Sequence, residues 1–172
     1  MAKYNSEDIK NFIAYMQPII QKEAFKRGYK IISTALAQAI IEGGCNTSDL
    51  ARIHHNHFGM KCSESWLKAG KPAVNYKTME EYNGTYVKIT DWFRSYPEGD
   101  ESGVAGYYDF ISTPRYKNLK SAKDYQEYAL FLKQDGWAIS SIPWSLVSRM
   151  YAGIISRPAR RQALKRRSPL MI

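Results

Sequence analysis

Near the start of the chain, apolar residues recur at helical spacing. Ile9, Phe12, Ile13, Met16, Ile20 and Ala24 would share one face, with Ser6, Glu7 and Asp8 as an opening whose acids suit the helix dipole and Gly28 as the stop. Pro18 interrupts this pattern and predicts a kink or a split. A second helix is predicted in IISTALAQAIIEGG, with Leu36, Ala39 and Ile40 on its buried face and Gly43-Gly44 ending it. Glu42 thus falls in the last turn of a helix whose other residues are almost all apolar or small. From Ala73 to Tyr96 the period changes to two. Val74, Tyr76, Thr78, Glu80 and Tyr82 alternate with their neighbours, Asn83-Gly84 is a type I′ hairpin signal, and TYVKITDWF reads as the return strand. Helical texture returns over Val104 to Ser112. It returns again from a capping box at Ser121-Ala122-Lys123-Asp124 along Tyr125, Ala129 and Leu132 to Gly136. A last helix is expected behind Pro143, with Trp144, Val147, Tyr151 and Ile154 on one face. The pattern is α+β and mostly α: a helical body with an antiparallel β-hairpin lobe inserted in the middle.

Composition narrows this without redirecting it. At 172 residues, 44% hydrophobic and 24% charged, the chain has the make-up of one globular domain and not of a disordered polymer. No run approaches the roughly 18 apolar residues of a membrane span. The opening MAKYNSEDIKNF has no apolar h-region, so synthesis in the cytoplasm without a signal peptide is expected. Two cysteines, Cys45 and Cys62, make no disulfide framework. The net charge of +9 is uneven. Arg157, Arg160, Arg161, Lys165, Arg166 and Arg167 face no acid in residues 156–172, a +6 segment, and the 19 remaining bases meet 16 acids, only +3. The division expected is therefore a domain over 1–155 and a basic tail over 156–172, which is either a solvated end or a binder of nucleic acid, an anionic wall polymer or a membrane face.

Glu42 is the most informative position. A carboxylate at the end of an apolar helix is costly to ionise, and the negative end of the helix dipole adds to that cost. Both effects raise its pKa, as a general acid near neutral pH requires; the plainer alternative is a helix-end glutamate in solvent or paired with a base. Glu80, on the strand face of Tyr76, Thr78 and Tyr82, is the natural second carboxylate, although an exposed hairpin charge reads the same way. His54, His55 and His57 crowd one loop at a spacing unlike a helical ligand pair, with no acid adjacent in sequence, so neither a metal nor any other cofactor is expected. Cys45 has no nucleophile signature around it, which disfavours a thiol hydrolase. Thirteen tyrosines and four tryptophans offer flat faces with polar handles, suited to sugar rings and equally to a core.

The stretch AQAIIEGGCNTSDLARIHHNHFGMK resembles the signature of the bacterial and phage glucosaminidase family, glycoside hydrolase family 73. Ala37, Gln38, Ala39, Glu42, Gly44, Ser48, Leu50, Ala51, Asn56, Phe58, Gly59 and Lys61 fit that pattern. KTMEEYNG resembles the family's hairpin and places its second glutamate at Glu80. Phe93-Arg94-Ser95-Tyr96, Pro114-Arg115-Tyr116 and Gly136-Trp137-Ala138 follow in the family's order, so the resemblance spans roughly residues 30–155. Gly43, Cys45, Asn46 and His57 depart from it, in and just after the turn that follows Glu42.

The resemblance implies a lysozyme-like fold with a groove between the helical lobe and the hairpin. It implies cleavage of the β-1,4 bond between N-acetylglucosamine and N-acetylmuramic acid in peptidoglycan. Glu42 would be the general acid and Glu80 the base or electrostatic stabiliser, with Tyr116, Asn56, Phe58 and Trp137 as the candidate substrate-binding residues. The expected partner is the glycan strand, met by a monomer with no obligate protein partner, with the tail free to reach an anionic wall or membrane. A phage endolysin released through a separate pore-forming protein is the expected setting. Two alternatives stand beside it: a muramidase or lytic transglycosylase on the same fold, and a non-catalytic wall- or nucleic-acid-binding module that relies on the tail.

Overall fold

Helix α2 (Ser33–Gly43) is the core helix: every residue from Ser33 to Ile40 is buried, and so is Gly43. An 11-residue segment so poor in charge can be stable only when covered on all sides. The cover comes from α1 (Ser6–Lys26) and α6 (Tyr125–Gln134), and α5 (Asp100–Ile111) packs in turn on α1. Phe12, Met16, Ile20 and Ala24 of α1, Val104, Tyr107, Tyr108 and Ile111 of α5, and Tyr128 and Leu132 of α6 join α2 in one core. The structure is a computed structural model that describes residues 6–82 and 85–137, with the side chains of residues 7–77 and 90–137.

Helix α1 runs unbroken through Pro18, so the predicted split does not occur. Met16 and Ile20, on either side of the proline, are wholly buried. Burial of two such side chains contributes about 1.5–3 kcal/mol each, enough to offset the roughly 3 kcal/mol of an interior proline. Between α2 and the hairpin lie two short helices that the apolar period did not register. These are α3 (Asp49–Arg52) and α4 (Glu64–Lys68), capped by Ser48 and Ser63, whose hydroxyls accept from the Ala51 and Trp66 amides.

Strands β1 (Ala73–Tyr82) and β2 (Thr85–Arg94) pair antiparallel from Ala73 opposite Arg94 to Tyr82 opposite Thr85, as the alternation predicts. The Asn83-Gly84 turn, the helix expected behind Pro143 and the basic tail lie outside the described residues. After α5, a 3-10 helix (Pro114–Ser121) occupies the stretch where the capping box was expected to open. The cap is three residues later: Asp124 accepts from the Glu127 amide at 2.9 Å, and Glu127 accepts from the Lys123 amide at 2.7 Å. Ser121 instead closes the 3-10 helix by donating to the Asn118 carbonyl. Among the described residues, no helix is long and apolar enough to cross a membrane.

Candidate active site

The end of α2 is fixed by close backbone packing. Gly44 stops the helix in the left-handed region, and a Cβ on Gly43 would lie 3.2 Å from the His57 carbonyl oxygen and 3.3 Å from the Ala51 side chain. Here the chain turns into the loop 54–60, which Asn56 holds from inside. Its amide donates to the Met60 and Arg94 carbonyls at 2.9 Å each, and its oxygen accepts from the Met60 amide at 2.8 Å. The loop then runs beside β2 through the Cys62 amide to the Trp92 carbonyl and the Arg94 amide to the Met60 carbonyl. This course brings Gly59 against Glu42. With φ at +62°, Gly59 meets a backbone requirement, and the place of its missing Cβ lies at ordinary contact distance, 3.6 Å, from Glu42 Oε2.

Glu42 stands in a cleft of about 300 Å³. Phe58, Gly59, Met60 and Lys61 line one side of it, and Phe110, Arg115, Tyr116, Gly136 and Trp137 line the other. The aromatic rings support one another. Phe110 and Trp137 are 5.6 Å apart, Phe110 and Tyr116 5.4 Å, and Phe58 stacks at 3.9 Å on the buried Tyr107, whose hydroxyl donates to Gln38. Arg115 donates from Nε to the Asp135 carbonyl, tying the 3-10 helix to the turn after α6 where Trp137 emerges.

Water reaches Glu42 through the cleft mouth, while protein atoms crowd the rest of its carboxyl group. That crowding is the cause of its raised pKa: the charged form loses hydration and, among the described residues, gains neither a hydrogen bond nor an ion pair. An acid whose pKa is raised in this way, facing a wall of aromatic rings, can protonate a leaving oxygen on a sugar laid against that wall. Cys45 is in the opposite situation for its chemistry. Burial, helped by Asp8, pushes its thiol up to about 11, so it carries little thiolate at neutral pH.

Four of the six residues chosen from sequence meet in this cleft: Glu42, Phe58, Tyr116 and Trp137. Asn56 lies behind it, 2% exposed, with its amide spent on the loop. Glu80 lies in β1 opposite Val87, and its side chain is outside the described residues. Sequence reasoning passed over Phe110 as a wall of the cleft, although its spacing from Tyr107 on the same helix face is a readable signal. Phe110 also borders a larger hollow of about 610 Å³ between Trp66 and α5. There Arg94 stacks over the Trp66 ring at 4.4 Å, and two acids line the hollow: Asp109, ion-paired with Arg27, and Glu98, which accepts from the Ser102 hydroxyl.

A family model described as mannosyl-glycoprotein endo-beta-N-acetylglucosaminidase matches residues 17–157. No curated protein sequence gives a significant match. Solved structures are similar in fold. A peptidoglycan hydrolase from Sphingomonas sp. A1 superposes with a TM-score of 0.68 at 20% identity over 90% of this chain and 99% of its own. The C-terminally truncated glycoside hydrolase domain of FlgJ from Salmonella typhimurium gives 0.63 at 22%, over 87% and 99%. The catalytic domain of the autolysin Auto from Listeria monocytogenes gives 0.64 at 21%, over 91% and 87%. The expected lysozyme-like architecture, a helical lobe with a small antiparallel hairpin, is the one these domains share with this chain.

Proposed function

From the premise that this chain belongs to the glucosaminidase family and is a glycoside hydrolase, we propose that it cleaves peptidoglycan at the β-1,4 bond between N-acetylglucosamine and N-acetylmuramic acid. The observation that carries this reading is the Glu42 carboxyl, without a partner among the described residues and its pKa raised by burial, in a cleft walled by Phe58, Phe110, Tyr116 and Trp137. Glu42 gives its proton to the leaving oxygen while positive charge develops on the sugar ring. Glu80 is the second carboxylate, acting as base or as stabiliser of that charge. The glycan runs from the cleft past Phe110 into the larger hollow, which Trp66 and the Arg94 stacked on it border.

Reducing-end analysis of digested peptidoglycan tests the proposal. New N-acetylglucosamine ends support it, N-acetylmuramic acid or anhydromuramic ends make the enzyme a muramidase or a lytic transglycosylase, and no ends at all leave a binding module. For the tail, we propose electrostatic attraction to anionic walls. Deleting 157–172 then weakens pelleting with walls at low salt and has less effect at 0.15 M, where screening sets in at about 8 Å. The setting we propose is that of a phage endolysin: expressed inside a host, the chain lyses cells only alongside a pore-forming protein.

A further inference from the structure

The loop that presents Gly59 to Glu42 carries two histidines on its other side, and both reach the same carboxylate. His55 Nδ1 lies 2.7 Å and His57 Nε2 2.6 Å from Asp100 Oδ1, at the first residue of α5. All three donor atoms fall within 4.8 Å of one another. The second carboxylate oxygen, Oδ2, accepts from the Tyr15 hydroxyl of α1 at 2.7 Å, which fixes the plane of the group and turns Oδ1 toward the imidazoles. The His57 side chain is wholly buried and, among the described residues, its Nδ1 has no partner, so the polar contact that orients the ring is the one at Nε2. His55 is held from behind: a Cβ on Gly103 of α5 would collide with its carbonyl. Two imidazole nitrogens and one carboxylate oxygen thus converge from a loop and a helix that packing keeps in place, and the partly open His55 leaves a path for a small ion.

We propose that His55, His57 and Asp100 bind one divalent transition-metal ion, zinc by the chemistry of its ligands, as a clamp between loop 54–60 and α5. Two neutral imidazoles and a carboxylate are a borderline-soft set suited to zinc, with water as the fourth ligand. Bond lengths of about 2.0–2.1 Å in a tetrahedron place ligand atoms about 3.3 Å apart, so the two contacts to Asp100 Oδ1 need open by about 0.7 Å, with the imidazole nitrogens, now within 4.8 Å of each other, settling to the same spacing. The Tyr15 hydrogen bond supplies the outer-shell orientation that ligating carboxylates use. None of the three ligands lines the Glu42 cleft, so the ion's effect is to hold the loop, not to act on the sugar. This site does not depend on which glycosidic bond the enzyme cuts.

The test uses the full chain, free of any affinity tag and stripped with chelator. Zinc titration should give one equivalent bound, with a Tm rise of about 5 °C or more at a hundredfold excess over Kd. Cobalt should give the visible bands of a tetrahedral site, without the thiolate charge transfer that Cys45 or Cys62 would add. Because His57 is fully buried, the variants are His55→Gln and the isosteric Asp100→Asn, checked by circular dichroism. Each should weaken zinc by at least about tenfold and abolish the cobalt bands. A wild-type chain with no zinc-dependent shift and no tetrahedral bands overturns the proposal, as does binding that both variants retain.

Discussion

One loop serves two carboxylates, and it treats them in opposite ways. Glu42 sits at the C-terminal end of α2, where the helix dipole disfavours its charge; burial raises its pKa, and no described group donates to it. Asp100 sits at the N-terminal end of α5, where the dipole favours charge. Burial also pushes Asp100 upward, but hydrogen bonds from His57, Tyr15 and His55 outweigh it and hold the carboxyl well below the usual range. By surface exposure Asp100 is the more enclosed of the two, its side chain 12% exposed while Glu42 is an exposed residue, so exposure does not explain why Glu42 is the one whose pKa rises. What differs is the supply of donors: loop 54–60 turns its imidazoles to Asp100 and only the hydrogens of Gly59 to Glu42. Withholding donors leaves one acid with a raised pKa and free for chemistry, and concentrating them makes the other a structural anchor.

The largest effect expected is at the acid without donors. Glu42→Gln keeps the shape and removes the proton, so lytic activity should fall by at least about a hundredfold with circular dichroism unchanged. A variant that clears cells at near wild-type rate would end the assignment. The second effect belongs to the anchor. Asp100→Asn keeps a side chain of the same size but weakens three charge-assisted hydrogen bonds, and should cost about 2 kcal/mol of stability in urea unfolding with chelator present. Its turnover should stay within a few-fold of wild type. Equal losses of stability for the two variants, or equal losses of activity, would erase the contrast.

This division of labour was half legible in the sequence. Glu42 could be found because its signal is local: an apolar helix, a late position, two glycines and then a family-like string through Phe58 and Gly59. Strand period likewise gave β1 and β2 as the two arms of a hairpin, since alternation is a property of neighbouring residues, while their register comes from the structure. The anchor was hidden because its carboxylate is 43 residues from His57 in the chain and Tyr15 is 85 residues from Asp100. Three histidines with no acid adjacent in sequence showed no sign of a shared carboxylate, and it is the packing of their loop on α5 that brings Asp100 to His55 and His57. The 3-10 helix was missed for a related reason. Its first turn is set by Pro114 and its burial rests on Tyr116 and Leu119 alone, too sparse a pattern to show a period.

A third and smaller effect concerns the loop between the two acids. Gly59→Ala must hold φ near +62°, which costs a residue with a Cβ about 1–2 kcal/mol. The new methyl would sit at ordinary contact distance from Glu42 Oε2, so the loss should be of stability and of a few-fold in activity, not of folding. Calorimetry beside a turbidity assay separates the two, and an unchanged Tm would mean that the loop relaxes and is not held as tightly as its hydrogen bonds imply.

The smallest effect is also the one most specific to a carboxyl group starved of donors. Folding raises the pKa of Glu42, so the folded chain holds that proton more tightly than the unfolded one. By linkage, the folded state loses stability as pH rises from the unfolded value, about 4.3, through the raised one, and the deficit is complete above it. Glutamine does not titrate, so Glu42→Gln should be free of this deficit. Its Tm should exceed that of the wild type at neutral pH, and the two curves should converge as pH falls below about 4. The same titration should mark the alkaline limb of activity, with turnover falling as pH rises through the folded pKa because the acid must be protonated to act. A Gln variant less stable than wild type at pH 7 would mean that the ionised Glu42 has found donors after all, and the contrast with Asp100 would then rest on charge at the helix ends alone.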